Sequence, residues 1–168
     1  MMVEERRLLS LAAELATDMQ VVQTIVGEVK KGYASLTAGK EPDLLTMMGL
    51  AALLHHFYSA TESAFERIVK YFDGGLPTGE SWHRDLLARA ATEIPDVRPV
   101  VISKALQKQL DDYRRFRHLF RNVYELNLDW DKLIPLLSRL PAVNGNLQEE
   151  FGGFTEFLRT LAAETSRG

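Results

Sequence analysis

The sequence predicts an all-α protein, a bundle of about five to six helices, and three observations carry that expectation. Apolar residues recur at spacings of three, four and seven along most of the chain, the period of helices that each bury one stripe. No alternation of apolar and polar residues runs long enough to build a sheet. Breaks rich in Gly and Pro separate the helical runs, and none is long enough to divide two domains. With 168 residues, 46% hydrophobic and 26% charged, residues 1–168 read as one globular domain that buries its own core.

The first helix is expected from about Glu4 to Ser35, where Leu8, Leu11, Leu15, Val22, Ile25 and Val29 form one stripe. Gly39-Lys40-Glu41-Pro42-Asp43 breaks it, and Asp43 is placed to cap a second helix running to about Phe72 through Leu50, Leu54, Phe57, Phe65 and Ile68. After Gly74-Gly75-Leu76-Pro77-Thr78-Gly79, Ser81 is placed to cap a short third helix carrying Trp82, Leu86, Leu87 and Ala90. Ile94-Pro95-Asp96-Val97-Arg98-Pro99 reads as a loop, because residues before proline avoid the helical region. A fourth helix follows from about Ser103 to Glu125. A short fifth is expected near Asp131 to Leu140, with Pro135 in its first turn and Pro141 ending it. Asn144-Gly145-Asn146 then reads as a turn or kink before a last helix through Phe151, Phe154, Phe157, Leu158 and Leu161.

Composition narrows the function. There is no cysteine, which removes disulfides, thiolate metal sites and a cysteine nucleophile together, and suits a reducing cytoplasm. Met1-Met2-Val3-Glu4-Glu5-Arg6-Arg7 lacks the layout of a signal peptide, and no apolar run has transmembrane length, so a cytoplasmic protein with no membrane partner is expected. Neither a phosphate-binding glycine loop nor a Gly-x-Ser-x-Gly nucleophile motif is present. The 20 Lys and Arg against 23 Asp and Glu give a net charge of −3, unsuited to coating nucleic acid.

One helix departs from that balance. Asp111-Asp112-Tyr113-Arg114-Arg115-Phe116-Arg117-His118-Leu119-Phe120-Arg121-Asn122-Val123-Tyr124 holds four arginines and a histidine; without those arginines the chain would carry 16 basic and 23 acidic residues, a net of −7. Leu106, Leu110, Tyr113, Phe120 and Tyr124 form the apolar stripe of this helix, and Arg117 falls inside it with Arg114 and Arg121 at its edge. An arginine there must find a carboxylate, a carbonyl or a phosphate, since an unpaired buried charge costs several kcal/mol. In the structural alternative, Arg117 and Arg121 pair with acids of neighbouring helices while Arg114 and Arg115 answer Asp111 and Asp112.

In the functional alternative the partner is phosphate. Guanidinium groups bind phosphate oxygens in pairs, and a histidine can move a proton near neutral pH. RNA brings its own nucleophile: if the ribose 2′-hydroxyl attacks the adjacent phosphate, the protein supplies only arginine, an acid/base and a polar positioner such as Asn122 or Tyr124. That chemistry calls for no cofactor, no metal and no protein nucleophile. His55 and His56 are adjacent and point about 100° apart, so they do not chelate as an i,i+4 pair would. His55, Tyr58 and Glu62 share a face, where they either wall the same cleft or, the more common outcome for such a histidine, hold His55 as a structural residue of the core. His83 beside Trp82 reads as packing and capping.

Leu54-His55-His56-Phe57-Tyr58, Glu62-Ser63-Ala64-Phe65-Glu66-Arg67-Ile68, Leu76-Pro77-Thr78-Gly79-Glu80-Ser81-Trp82-His83-Arg84-Asp85-Leu86-Leu87, Tyr113-Arg114-Arg115-Phe116-Arg117-His118 through Tyr124, and Leu128-Asp129-Trp130 together resemble the HepT-like ribonuclease toxins of the HEPN superfamily. The resemblance covers about residues 45–160. It implies an antiparallel bundle, a homodimer whose cleft joins two copies of the arginine helix, metal-independent RNA cleavage, and a nucleotidyltransferase-type antitoxin that in family members transfers AMP onto a tyrosine. The superfamily motif is Arg, a polar residue, then His after four to six intervening residues, often followed by Tyr. Here Arg121-Asn122 begins that motif, Leu126-Asn127-Leu128 fills the histidine window, and His118 instead precedes Arg121. The resemblance implies catalytic roles for Arg121 and Asn122, with His118 substituting as the acid/base, and modification for Tyr124; the spacing and charge of the residues add Arg117 to catalysis and Arg114, Tyr124, His55 and Tyr58 to RNA contact. A divergent member that docks RNA or an acidic partner without cutting stands beside this reading.

Overall fold

The computed structural model describes residues 2–122 and 127–167. Five helices occupy most of them: α1 (Met2–Ala34), α2 (Leu44–Phe72), α3 (Trp82–Ala90), α4 (Lys104–Asn122) and α5 (Trp130–Arg167). Among the described residues there is no strand, only a single bridge between Ile94 and Arg98 inside the predicted loop. None of these helices is long and apolar enough to cross a membrane.

The stripes read from the sequence are the ones that are buried. Leu8, Leu11, Leu15, Val22 and Val29 of α1 face Leu50, Leu54, Phe57, Phe65 and Ile68 of α2 and Leu140, Leu147, Phe151 and Leu158 of α5 in one core. Residue pairs across the helices fix their directions. Tyr71, Arg67 and Leu50 of α2 meet Glu4, Glu14 and Gly32 of α1 respectively, so the two run antiparallel. Gln148 and Asn144 of α5 reach Met19 and Gln23 of α1, and Glu150, Arg139 and Leu136 reach Ser103, Asp112 and Tyr113 at the start and middle of α4. Hence α5 is antiparallel to both α1 and α4.

Local signals held at several ends. The Asp43 carboxylate accepts from the Thr46 N–H at 2.8 Å, the N-cap expected of it, and the Ser103 hydroxyl accepts from the Leu106 N–H at the start of α4. Ser81 differs: its hydroxyl donates to Asp85 at 3.0 Å and makes no cap bond.

The larger correction concerns α5. The expected short helix, the stop at Pro141 and the Asn144-Gly145-Asn146 turn are all absent; one helix of 38 residues runs through both prolines. Each proline removes one ladder bond, yet Leu133, Leu136, Leu137, Leu140, Val143, Leu147, Phe151, Phe154, Leu158 and Ala162 keep a single buried stripe across the join. Burial of that stripe outweighs the two missing bonds. Asn144 is itself buried and serves the helix pair: its amide donates to Gln23 at 2.7 Å, and Gln148 donates both to Asn144 and to the Met19 carbonyl.

The connection from α3 to α4 is held by Arg98, whose side chain is fully buried. Its Nε and Nη2 clamp the Asp73 carboxylate at 2.8 Å each, and the remaining donors reach the carbonyls of Arg89, Thr92 and Pro99. All five guanidinium hydrogens are thereby used. This clamp fixes the end of α2 to the segment that delivers α4, and so sets where α3 and α4 face each other.

Candidate functional site

Glu62 is the point around which the site is built. It lies on the core face of α2 at 3% exposure, and a carboxylate so buried requires charged or hydrogen-bonding partners. Two different helices supply them. Arg117 of α4 brings Nη1 to 3.5 Å from Oε1, and His83 of α3 brings Nδ1 to 2.7 Å from Oε2. The Arg117 Nε also donates to the Ser59 hydroxyl at 2.8 Å, one turn before Glu62 on α2. Arg117 therefore finds the neighbouring-helix carboxylate that its place inside an apolar stripe demanded.

His83 was expected to serve packing and capping, and it does more. Its ring stacks on Trp82 with centroids 3.7 Å apart, which is packing, but its Nδ1 is bound to a buried carboxylate. A carboxylate in its ionised form only accepts, so paired with that form Nδ1 is the donor. Arg117 Nη1, 3.5 Å from the same Nδ1, then stands as a second donor to the one carboxylate.

Above this layer a cleft of about 780 Å³ opens between residues 79–84 and α4. Arg114, Arg117, His118 and Arg121 line it from α4, being spaced three, four and seven apart on one helix face. Arg84 joins them from α3, and Glu80 is the only carboxylate of the lining among the described residues. The balance of charge in the cleft is positive, in a protein whose net charge is negative. Arg114 donates to Asp111 at 2.7 Å; Arg115, turned away from the cleft, pairs with Asp111 and Asp112. Arg121 is exposed and makes no ion pair among the described residues. His118 is exposed on the same wall.

The other expected residues sit elsewhere. Tyr58 is fully buried among the charges of Glu62, Arg114, Asp111 and Arg117, with no hydrogen bond to its hydroxyl among the described residues, and burial pushes that hydroxyl far above its ordinary pKa. As placed, it offers a ligand no surface. His55 packs its ring 5.5 Å from that of Phe120, and its buried Nδ1 has no hydrogen-bond partner among the described residues. Burial, with the charges of Arg117, His56 and Arg121, holds its imidazole below the usual range. Neither residue lines the cleft, so of the expected wall of His55, Tyr58 and Glu62 only Glu62 reaches the site, from beneath. Asn122 ends α4 without a described side chain, and Tyr124 lies outside the described residues. Among the described residues no group of three or more His, Asp and Glu side chains is placed to hold a metal ion.

The Glu62–His83 pair is the element that sequence reasoning missed. Its members are 21 residues apart on different helices, so no local spacing joins them. The available signal was Glu62 itself, four residues after Tyr58 on a face that α2 buries.

Comparison with known proteins gives one family. A family profile described as HepT-like protein matches residues 49–158, more than half of the chain, and spans α3, α4 and every residue of the cleft. No curated protein and no solved structure matches the chain.

Proposed function

We propose that this chain, which belongs to the HepT-like family of the HEPN superfamily, is an endoribonuclease toxin of a toxin–antitoxin pair. The observation that carries the reading is the shared placement of Arg114, Arg117, His118 and Arg121 on one face of α4, opening on one positively charged cleft. There the exposed Arg121, with Arg117 beside it, holds the scissile phosphate and stabilises the charge that builds on it. His118 transfers a proton, and the substrate's own 2′-hydroxyl is the nucleophile. Asn122 and Tyr124, next in the sequence, are the positioning residues of this reading, Tyr124 also being the candidate for modification. A cytoplasmic homodimer that joins two such helices, silenced by a nucleotidyltransferase-type antitoxin, completes the proposal.

A second reading has its own support. Arg117 and Arg114 are already tied to Glu62 and Asp111, the arrangement of a basic face that docks RNA or an acidic protein without cutting it. Cleavage of single-stranded RNA in EDTA separates the two. Under the ribonuclease reading the wild type cuts, and His118→Ala and Arg121→Ala each lose roughly 10²–10⁴-fold in rate. Equal rates in all three remove those roles, and salt-sensitive RNA affinity without cleavage favours the docking module.

A further inference from the structure

Cleavage by 2′-hydroxyl attack needs two proton transfers, one from the nucleophile and one to the leaving oxygen, and within one protomer α4 brings a single histidine, His118, to the cleft. We propose that His83, oriented by Glu62, is the second proton-transfer residue of the cleft and acts as its general base; this rests on the ribonuclease reading above. The geometry is that of a histidine–carboxylate pair. Glu62 is 3% exposed and lies 2.7 Å from His83 Nδ1; a carboxylate acceptor at that nitrogen selects the Nδ1–H tautomer, in which Nε2 keeps its lone pair. The ring is clamped from one side by Trp82 at 3.7 Å, so it is positioned as well as oriented. His83 lines the same cleft as His118, on the opposite wall, with the arginines of α4 facing it.

The step balances. Nε2 of neutral His83 takes the proton from the 2′-hydroxyl as the O2′–P bond forms. The P–O5′ bond breaks, and protonated His118 gives its proton to the departing O5′. The products are a 2′,3′-cyclic phosphate and a 5′-hydroxyl, and the protons return through water. Glu62 is a positioning residue here: it touches no reacting atom and stabilises the imidazolium that forms. The charged and titratable groups that share the site with His83 are Glu62 from α2, Glu80 and Arg84 from its own stretch of chain, and Arg114, Arg117, His118 and Arg121 from α4.

The test is the pH–rate profile of RNA cleavage by the full chain, with ¹⁵N spectra of the histidine rings. His83→Ala is expected to fold, to lose on the order of 10²–10⁴-fold in kcat with KM little changed, and to lose the acidic limb of a bell-shaped profile. Added imidazole restores part of that rate. Glu62→Gln flattens the same limb and shifts His83 out of the pure Nδ1–H tautomer; should it fail to fold, the wild-type spectrum alone reads the tautomer. A His83→Ala enzyme with wild-type kcat and both limbs, while Arg121→Ala is inactive, overturns the proposal and leaves the ribonuclease reading standing. A wild-type spectrum with the proton on Nε2 also overturns it. A wild type that leaves RNA whole removes the ribonuclease reading and this role with it.

Discussion

Arg98→Ala tests the clamp that holds α3 and α4 in position. The substitution removes five hydrogen bonds at once. Asp73, whose side chain is 4% exposed and whose carboxylate has no other partner among the described residues, is left as an unpaired buried charge. The carbonyls of Thr92 and Pro99 lose their donor, while that of Arg89 keeps the Thr92 N–H at 3.1 Å. Breaking a buried pair in this way costs about 3–5 kcal/mol. Against a total stability on the order of 5–15 kcal/mol, that is a large fraction of what holds the domain folded. In urea, a loss of about 4 kcal/mol on a slope of about 2 kcal/mol/M lowers the midpoint by about 2 M. The double-mutant cycle with Asp73→Ala isolates the pair: in that background Arg98→Ala costs less, because no orphaned carboxylate remains. A cost below about 1 kcal/mol, or a strictly additive cycle, would refute the reasoning.

Other perturbations test other parts. Pro141 is exposed inside α5, so Pro141→Ala restores a ladder bond without disturbing the core and should stabilise the protein by about 2 kcal/mol in urea unfolding; a loss of stability would mean the proline shapes the helix. Tyr113→Phe removes the bond from its buried hydroxyl to the Leu136 carbonyl, 2.8 Å, and should cost about 1 kcal/mol by the same assay. The pH dependence follows from His55. Its folded-state pKa lies below the ordinary 6.5, first through burial, so the unfolded chain binds this proton more tightly than the folded one. Stability from this group is complete above about 6.5 and declines as pH falls below that through the folded value, and His55→Phe should flatten that decline below about pH 6.5. An unchanged slope in the variant would assign the effect to another group.

Much of the fold was legible because its signals are local or periodic. The stripe of α1 and the Asp43 cap each rest on residues within a few positions of one another, and the helix follows from them. Pro141 misled because the rule for proline concerns the ladder bond alone, whereas the continuous stripe from Leu133 to Ala162 is a tertiary matter. In the site, Arg117 announced itself by lying in an apolar stripe, and its partner proved to be the acid of another helix. Arg98 gave no such announcement: it sits in a short loop, and only the folded end of α2 brings Asp73 to it. The same holds for His83, which has a role only once α2 places Glu62 beneath it. Long-range pairs between charged residues leave no periodic trace, so these were the parts that required the fold.

In the proposed reaction the cleft along α4 directs a ribose 2′-hydroxyl onto its neighbouring phosphate. The most direct measurement compares a short RNA with the same strand carrying 2′-deoxyribose at the cleaved position. The account predicts that the wild type cuts the RNA to a 2′,3′-cyclic phosphate and a 5′-hydroxyl and leaves the substituted strand whole. Equal cleavage of both strands, or no cleavage of either, would contradict it.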